Sequence, residues 1–124
     1  MTDPALASTM MHGELMLDAF IERAELLFPK VEVVCRRADR SLQRHGYAEI
    51  ARRARSLAAG LQKAGLREGD RVATLMWNHH FHLEAYFGIP MAGGVYHTLN
   101  LRLAGDQLSY IVNHAKDRFL LVDD

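Results

Sequence analysis

The spacing of apolar residues along the first third of the chain predicts a helix followed by a β-hairpin. Apolar residues recur at helical intervals between Leu17 and Phe28, and Pro29 would interrupt the backbone hydrogen bonds that continue a helix. Residues 31–36 are rich in β-branched side chains, and a second short run ends at Gly46. Two short runs joined by a polar turn are typical of a hairpin.

The middle of the chain predicts a long amphipathic helix and a buried strand. An apolar stripe runs from Tyr47 to Leu61, the opposite face is rich in arginine, and Gly65 stands where a left-handed helix cap belongs. Residues 72–77 are almost uninterruptedly apolar, which is typical of a strand covered on both faces in a parallel sheet. Asn78 is then a candidate cap for the next helix.

The rest of the pattern continues the alternation of helices and strands. The remaining predicted elements are a helix from His79 that kinks or ends near Pro90, a strand over residues 94–99, a helix over 108–115 and a strand over 119–122. Such alternation requires crossover connections. We therefore predict an α/β fold: a partial doubly wound, mainly parallel sheet with flanking helices, preceded by the helix and hairpin.

The two ends of the chain differ from this regular pattern. Residues 1–13 show no hydrophobic period and predict an N-terminal arm. The last predicted strand has no helix after it, although a doubly wound sheet normally covers such a strand. We therefore expect residues 14–124 to be an incomplete unit that needs further polypeptide.

Composition and charge exclude several classes of protein. The 124 residues carry 15 basic and 15 acidic side chains, so binding to nucleic acid or to an anionic membrane through bulk charge is excluded. The longest stretch without charge, residues 85–101, is interrupted by glycines and a proline, so no membrane span is expected. The first basic residue is Arg23, unlike a secretory signal, and the single Cys35 excludes an internal disulfide. These features favour the cytoplasm.

Glycines and histidines are the residues that first suggest a ligand site. The glycine loop of a nucleotide site is missing, because the adjacent Gly93 and Gly94 lie between a predicted helix end and a strand, where caps and turns are the simpler interpretation. His79 and His82 stand three apart on one helix face, which is a possible pair of metal ligands. A third ligand at recognisable spacing is missing, so structural histidines are favoured, and a metal site remains the alternative.

Two further pairings of residues are candidates for chemistry. His80 and Glu84 stand four apart on the same helix without completing a zinc motif. His97 lies next to Thr98 in sequence, but spacing alone cannot place it beside a nucleophile such as Ser109 or Cys35. Cys35, within a β-branched run, is predicted to be a small core residue rather than a reactive thiolate.

A cluster of basic residues on the long helix is a candidate phosphate-binding face. The residues are Arg52, Arg53, Arg55 and Lys63. No aromatic residues are interleaved with them for base stacking, and Glu49 can pair locally with the first arginines. A solvated helix face is therefore the favoured interpretation.

Five stretches taken together resemble the adenylate-forming acyl-CoA synthetases. Residues 47–50 (YAEI) and 65–75 (GLREGDRVATL) resemble the opening of that superfamily, which leads through a helix to a "GDRVA" strand. Residues 79–90 (HHFHLEAYFGIP), 93–103 (GGVYHTLNLRL) and 110–118 (YIVNHAKDR) look like the "HTxNPRL" region of its fatty-acid CoA ligase branch. The stretches follow the order of the family, so their joint specificity is high.

The likeness spans nearly the whole chain, from about Ser8 to Asp123. It implies that residues 14–124 are an incomplete N-terminal subdomain of an AMP-forming synthetase, a fragment of its larger N-terminal domain. Residues 8–11 also resemble the leader of the fatty-acid CoA ligase branch. The family has a proline where this chain has Leu101, which frees the backbone before Arg102 and restores a backbone N–H.

The resemblance implies a two-step reaction in the full-length relatives. ATP and a fatty acid form an acyl-adenylate with release of pyrophosphate, and the thiol of coenzyme A then displaces AMP. The family places its Ser/Thr/Gly-rich phosphate loop, a glutamate and a catalytic lysine beyond residue 124, and Lys30, Lys63 and Lys116 match none of these motifs. We therefore assign no catalytic, cofactor-binding or metal residue here, and ATP, magnesium and coenzyme A are implied only for the full-length relative.

The resemblance also implies partners. The remainder of a synthetase chain is the first, and a homodimer through the N-terminal part is the second, because some relatives pair there. The alternatives left open are a self-standing, non-enzymatic α/β interaction module and a small metal or nucleotide binder that uses the histidines.

Overall fold

The structure is a computed structural model that describes residues 16–123. Within this range the helices are α1 (Asp18–Leu27), α2 (Tyr47–Lys63), α3 (His80–Met91) and α4 (Gly105–Ala115). The strands are β1 (Glu32–Arg36), β2 (Leu42–Gly46), β3 (Arg71–Leu75), β4 (Val95–Thr98) and β5 (Phe119–Val122). The predicted arm, residues 1–13, and the leader-like residues 8–11 lie outside the described residues.

The predicted helix and hairpin at the start of the chain are confirmed. Strands β1 and β2 pair antiparallel, with Val34 opposite Arg44. In the turn between them, the Asp39 carboxylate accepts hydrogen bonds from the backbone N–H of Ser41 at 2.9 Å and from its hydroxyl at 2.6 Å. These bonds lower the pKa of Asp39, because they stabilise the charged form.

The long helix α2 ends in the predicted glycine cap. Gly65 has φ +92°, a left-handed conformation that favours glycine because it has no Cβ. Its N–H donates to the carbonyl of Gln62 at 3.0 Å, and the N–H of Leu66 donates to the carbonyl of Leu61 at 3.0 Å. This pair of hydrogen bonds is a Schellman motif, which satisfies the last carbonyls of the helix.

The last three strands form a parallel sheet in the order β4-β3-β5, which confirms the predicted fold class. Val72 of the central strand stands opposite Tyr96 on one side and Phe119 on the other. Val72, Ala73 and Thr74 are all fully buried, so β3 is covered on both faces as its apolar sequence predicted.

The main core lies between the sheet and the pair α2–α3. Val72 packs there with Leu61 of α2 and Ile89 of α3. The two helices approach closely at Gly88, where an added Cβ would lie 2.7 Å from the carbonyl oxygen of Ala54. Glycine at this position therefore allows the helix pair to pack.

Helix α4 differs, because none of its residues is buried. Arg71 of β3 donates a side-chain hydrogen bond to the carbonyl of Ala115, and Arg118 after the helix pairs with Asp70 at 2.6 Å. Polar contacts therefore hold this element in place.

One local prediction about α3 is wrong. The residue at its N-terminal boundary is His79 rather than Asn78, and it makes no side-chain capping hydrogen bond. The helix starts one residue later because Trp77 and His79 are both tied to Asp123. At the other end, Pro90 lies inside the last turn and the helix ends at the next residue, Met91, close to the predicted end.

Candidate functional site between the hairpin and the strand ends

A cleft of about 640 Å³ lies between the β1–β2 hairpin and the carboxyl ends of β3 and β5, and we call it the hairpin cleft. Cys35 and Gln43 line it from the hairpin, Trp77 and His80 from the end of β3 and the start of α3, and Asp123 from the end of β5. In open α/β sheets ligands bind at the carboxyl ends of the strands, so this cleft is the candidate site of the fold.

Asp123 connects the ends of β3 and β5. Its carboxylate accepts a hydrogen bond from the backbone N–H of Trp77 at 2.7 Å. The Nε2 atom of His79 lies 2.8 Å from the Oδ1 atom of the same carboxylate. These contacts fix the wall of the hairpin cleft at the edge of the sheet.

A stacked pair of histidines lies where the hairpin meets α3. The rings of His45 and His80 have centroids 4.2 Å apart, and His80 is only 5% exposed. Burial lowers the pKa of His80 from its ordinary 6.5 to about 4, and the electrostatic effect of the neighbouring His45 ring and Arg53 guanidinium acts in the same direction. His80 is therefore neutral near pH 7.

An ion pair next to the stacked histidines joins α2 to α3. Arg53 Nε lies 2.6 Å from Glu84 Oε1, and the guanidinium also lies over the ring of Phe81, 5.1 Å from its centroid. Burial raises the pKa of Glu84, whereas its hydrogen bond from Arg53 lowers it. The net direction is upward, so desolvation outweighs the ion pair.

Several ring nitrogens around the cleft are buried without a hydrogen-bond partner among residues 16–123. They are Nδ1 and Nε2 of His45, Nδ1 of His79 and Nδ1 of His80. The Nδ1 atom of His45 does lie 3.1 Å from Glu49 Oε1, but the two are not aligned as a hydrogen bond. Unpaired buried polar atoms are uncommon in proteins, so this cluster calls for an explanation.

A second cleft of about 450 Å³ shares Cys35, Asn78 and His79 with the hairpin cleft. Its floor includes His82, whose Nε2 atom lies 3.1 Å from Thr74 Oγ1. Burial lowers the pKa of His82 as well. Cys35 is buried, as predicted for a small core residue.

The histidine pair considered as metal ligands does not converge. The His79 side chain contacts Asp123, whereas the His82 side chain contacts Thr74. The other pair separates in the same way, because His80 stacks on His45 while Glu84 binds Arg53. Within the part of the chain that the structure describes, no three His, Cys, Asp or Glu side chains are arranged to hold a metal ion.

His97 is not placed against any of the considered nucleophiles. Its Nδ1 atom lies 2.9 Å from both carboxylate oxygens of Asp117, whose side chain is only 1% exposed. This pair ties β4 to the turn before β5. The structure therefore gives His97 a role in holding the sheet.

The basic face of α2 is largely used in ion pairs. Arg55 donates to both carboxylate oxygens of Glu25 in α1, at 2.6 and 2.7 Å. Arg53 lies 3.8 Å from Glu49, the predicted local partner, but its shorter contact is with Glu84. Gly93, considered as part of a phosphate loop, has φ +86° and lies in the turn after α3, as the simpler interpretation predicted.

Sequence reasoning missed the contacts between side chains that form the walls of the cleft. Nothing in local spacing pairs His45 with His80, because they come from different elements. The Asp123 contact did have a signal, since the carboxyl ends of neighbouring parallel strands meet at one edge of a sheet.

Comparison with known proteins identifies the family. Residues 22–124 match the model of the family described as AMP-binding enzyme. The chain belongs to this family. The resemblance to adenylate-forming acyl-CoA synthetases is therefore confirmed.

Individual relatives point to fatty-acid CoA ligases. The chain is 51% identical over 119 residues to a long-chain-fatty-acid–CoA ligase of Thermus thermophilus, a match that covers 96% of this chain and 22% of the relative. It is 40% identical over 115 residues to a medium-chain-fatty-acid–CoA ligase of Ectopseudomonas oleovorans, covering 93% and 21%. The chain thus spans about a fifth of the length of these AMP-binding enzymes.

The fold is also shared with solved structures. A fatty acyl CoA synthetase of Mycobacterium tuberculosis superposes with a TM-score of 0.76 at 24% identity, covering 85% of this chain and 20% of that one. Among residues 16–123, no helix has the length and apolar character needed to cross a membrane.

Proposed function

We propose that this chain is the N-terminal portion of a cytoplasmic, ATP-dependent fatty-acid–CoA ligase. In the complete enzyme, a fatty acid and ATP would form an acyl-adenylate and pyrophosphate, and coenzyme A would then displace AMP to give the acyl-CoA. The observation that carries this proposal is the 51% identity to a long-chain-fatty-acid–CoA ligase across 96% of the chain.

The role of these residues in that enzyme is to build the framework. Two carboxylates that could hold the magnesium ion of a triphosphate are engaged by other side chains: Asp123 by His79 and Glu84 by Arg53. Helix α3, which begins at the hairpin cleft, has no glycine loop before it. No chemical step through ATP, magnesium or coenzyme A is therefore assigned to these residues.

The main partner is the remainder of the synthetase. Apolar side chains on the outer strand β5 and on α4 support this, because Leu120 is 48% exposed and Tyr110 is 68% exposed. Exposed apolar surface of this kind favours association with further polypeptide. A second partner is another copy of the chain, through α1, where Phe20 and Leu27 are also exposed.

A hybrid enzyme tests the proposal. The 124-residue chain would replace the matched region of the Thermus thermophilus ligase, and ATP-dependent pyrophosphate release with a long-chain fatty acid would be measured for the hybrid, the parent ligase and the chain alone. We expect the hybrid to be active and the chain alone to be inactive, because the family places its phosphate-binding groups elsewhere.

Two outcomes contradict the proposal. Sustained turnover by the chain alone would show that it carries its own reactive groups. A folded but inactive hybrid beside an active parent would favour the alternative of a non-enzymatic interaction module. Metal analysis of the untagged chain separately tests the metal-binding alternative, for which the described residues offer no cluster of three ligands.

A further inference from the structure

The hairpin and the start of α3 meet at the stacked rings of His45 and His80, whose centroids are 4.2 Å apart. We propose that this pair is a proton-operated latch. While His80 is neutral, the latch holds the β1–β2 hairpin against α3, and when His80 takes up a proton, the hairpin is released and the hairpin cleft opens. This proposal concerns the fold of the chain itself and does not rest on the proposed ligase activity.

The charges around His80 make a proton there unfavourable. From α2 the Arg53 guanidinium faces it, and from β2 the His45 ring does. The nearby acid of α3, Glu84, is already bound to Arg53 at 2.6 Å. A second acid, Glu49 of α2, lies beside His45, 3.1 Å from its Nδ1 atom, and His79 adds a further titratable ring. A protonated His80 would therefore lie beside the positively charged Arg53, and both nearby carboxylates already contact other side chains.

The hairpin is the element that such repulsion would move. Of the ten residues in its two strands, Cys35 is the buried one, and the remainder are half-buried or exposed. By contrast, β3, α2 and α3 together contribute most of the fully buried side chains. Releasing the hairpin therefore gives up little buried surface compared with unfolding the core.

The direction of the pH effect follows from proton binding. In the latched state His80 stays neutral down to a pKa of about 4, whereas an exposed histidine binds a proton below about 6.5. Between these values the released state binds more protons, so acidification favours release. The ratio of released to latched chains rises by up to tenfold per pH unit, or roughly 300-fold over the whole interval.

Hydrogen exchange of backbone amides measures this opening. The opening constant of the hairpin amides, corrected for intrinsic exchange, would be compared at pH 7 and pH 5 in the wild-type chain and in His80→Phe, which keeps a ring of similar size. His80→Leu is a second variant without a titrating group, for the case that phenylalanine does not fit. His114→Leu removes an exposed histidine that stacks on Tyr110 and is the matched control.

We expect the hairpin opening constant of the wild type and of His114→Leu to rise by at least tenfold between pH 7 and pH 5, with the β3 amides changing much less. In the folded His80 variant the rise should be below threefold, although His82, also buried, keeps a contribution of its own. An unchanged pH response in a folded His80 variant would overturn the latch. Equal opening of hairpin and β3 amides would overturn it too, because it would show global unfolding.

The sole tryptophan gives an independent signal of the same event. Trp77 lines the hairpin cleft, so its emission should change as the hairpin leaves. The change should occur between pH 6.5 and about 4 in the wild type and be lost in His80→Phe. A change that persists in that variant would count against the latch.

Discussion

Helices α2 and α4 have similar apolar stripes but very different surroundings. Five residues of α2 are buried: Ile50, Ala51, Ala54, Ala58 and Leu61. None of α4 is buried, although Leu108 and Ile111 stand at core-facing spacing. The stripe is covered in α2 because α3, α1 and the sheet pack against it. The periodicity of a sequence therefore predicts which face of a helix is apolar. How much of that face is buried depends on the elements that pack around the helix.

The two regions also differ in the kind of contact that holds them. Close apolar packing holds α2 to α3. In the α4–β5 region, polar contacts add to the apolar packing of β5 on the core: Arg118 pairs with Asp70 at 2.6 Å, and His97 with Asp117 at 2.9 Å. The Arg118–Asp70 pair is partly exposed, and pairs of this kind typically contribute below about 1 kcal/mol to stability. We therefore expect mutations to have much larger effects on stability in the first region than in the second.

The largest expected difference comes from shortening one isoleucine in each region. Ile89→Ala removes a fully buried side chain of α3 and should lower the free energy of unfolding by about 2–5 kcal/mol. Ile111→Ala, at a half-buried position of the mostly exposed α4, should lower it by less than about 1.5 kcal/mol. Urea unfolding followed by circular dichroism measures both. Equal losses would show that α4 is as well packed as α3.

A pair of glycine substitutions tests the close approach of α2 and α3. In Gly88→Ala the new Cβ would lie 2.7 Å from the carbonyl oxygen of Ala54, so the helices must separate, and we expect a loss of about 1–3 kcal/mol. Gly60→Ala is the control in an open, exposed position of α2, where alanine should stabilise the helix by about 0.5–1 kcal/mol. If Gly88→Ala also stabilises, the helix contact is looser than described.

A smaller effect is expected at the strand ends. Asp123→Ala removes the acceptor for the Trp77 N–H and the partner of His79, and should lower the free energy of unfolding by about 1–2 kcal/mol. Glu22→Ala, at an exposed position of α1, serves as the control and should change it by less than about 0.5 kcal/mol. Thermal unfolding of both variants decides whether this contact matters to the sheet.

Substitutions on the exposed apolar surfaces should have the smallest effect on stability but a clear effect on association. We expect the 124-residue chain to self-associate, and Phe20→Ser with Leu27→Ser in α1 to weaken association with less than about 0.5 kcal/mol change in unfolding. Leu120→Ser on β5 is the comparison. Analytical ultracentrifugation separates the outcomes: weakening by Leu120→Ser alone would place the contact on β5, and a monomeric wild type would contradict the expectation.

The periodicity of the sequence was enough to predict the elements and their order. The parallel sheet followed from the alternation, and the glycine cap after α2 followed from a single residue type whose conformational freedom is specific. The prediction for Asn78 was wrong because capping depends on which neighbours compete for the backbone. Here Asp123, 46 residues further along the chain than Trp77, accepts a hydrogen bond from the Trp77 backbone N–H.

The candidate site was much less predictable than the fold. Its features arise between residues far apart in sequence, as in the stack of His45 on His80 and the ion pair of Arg53 with Glu84. Single-sequence patterns report which face of an element is apolar, but they carry no signal for which polar groups meet across elements. The histidine spacing within α3 suggested shared ligation, whereas the folded chain directs each ring to a different neighbour.

The position of Cys35 gives the chain a chemical reporter. It is the sole thiol of the sequence, it is buried, and it borders both clefts next to the hairpin. A water-soluble aromatic disulfide can reach this sulfur only when the strand that carries it moves outward. The rate at which Cys35 is modified would therefore report how often the strand moves outward, without any engineered cysteine.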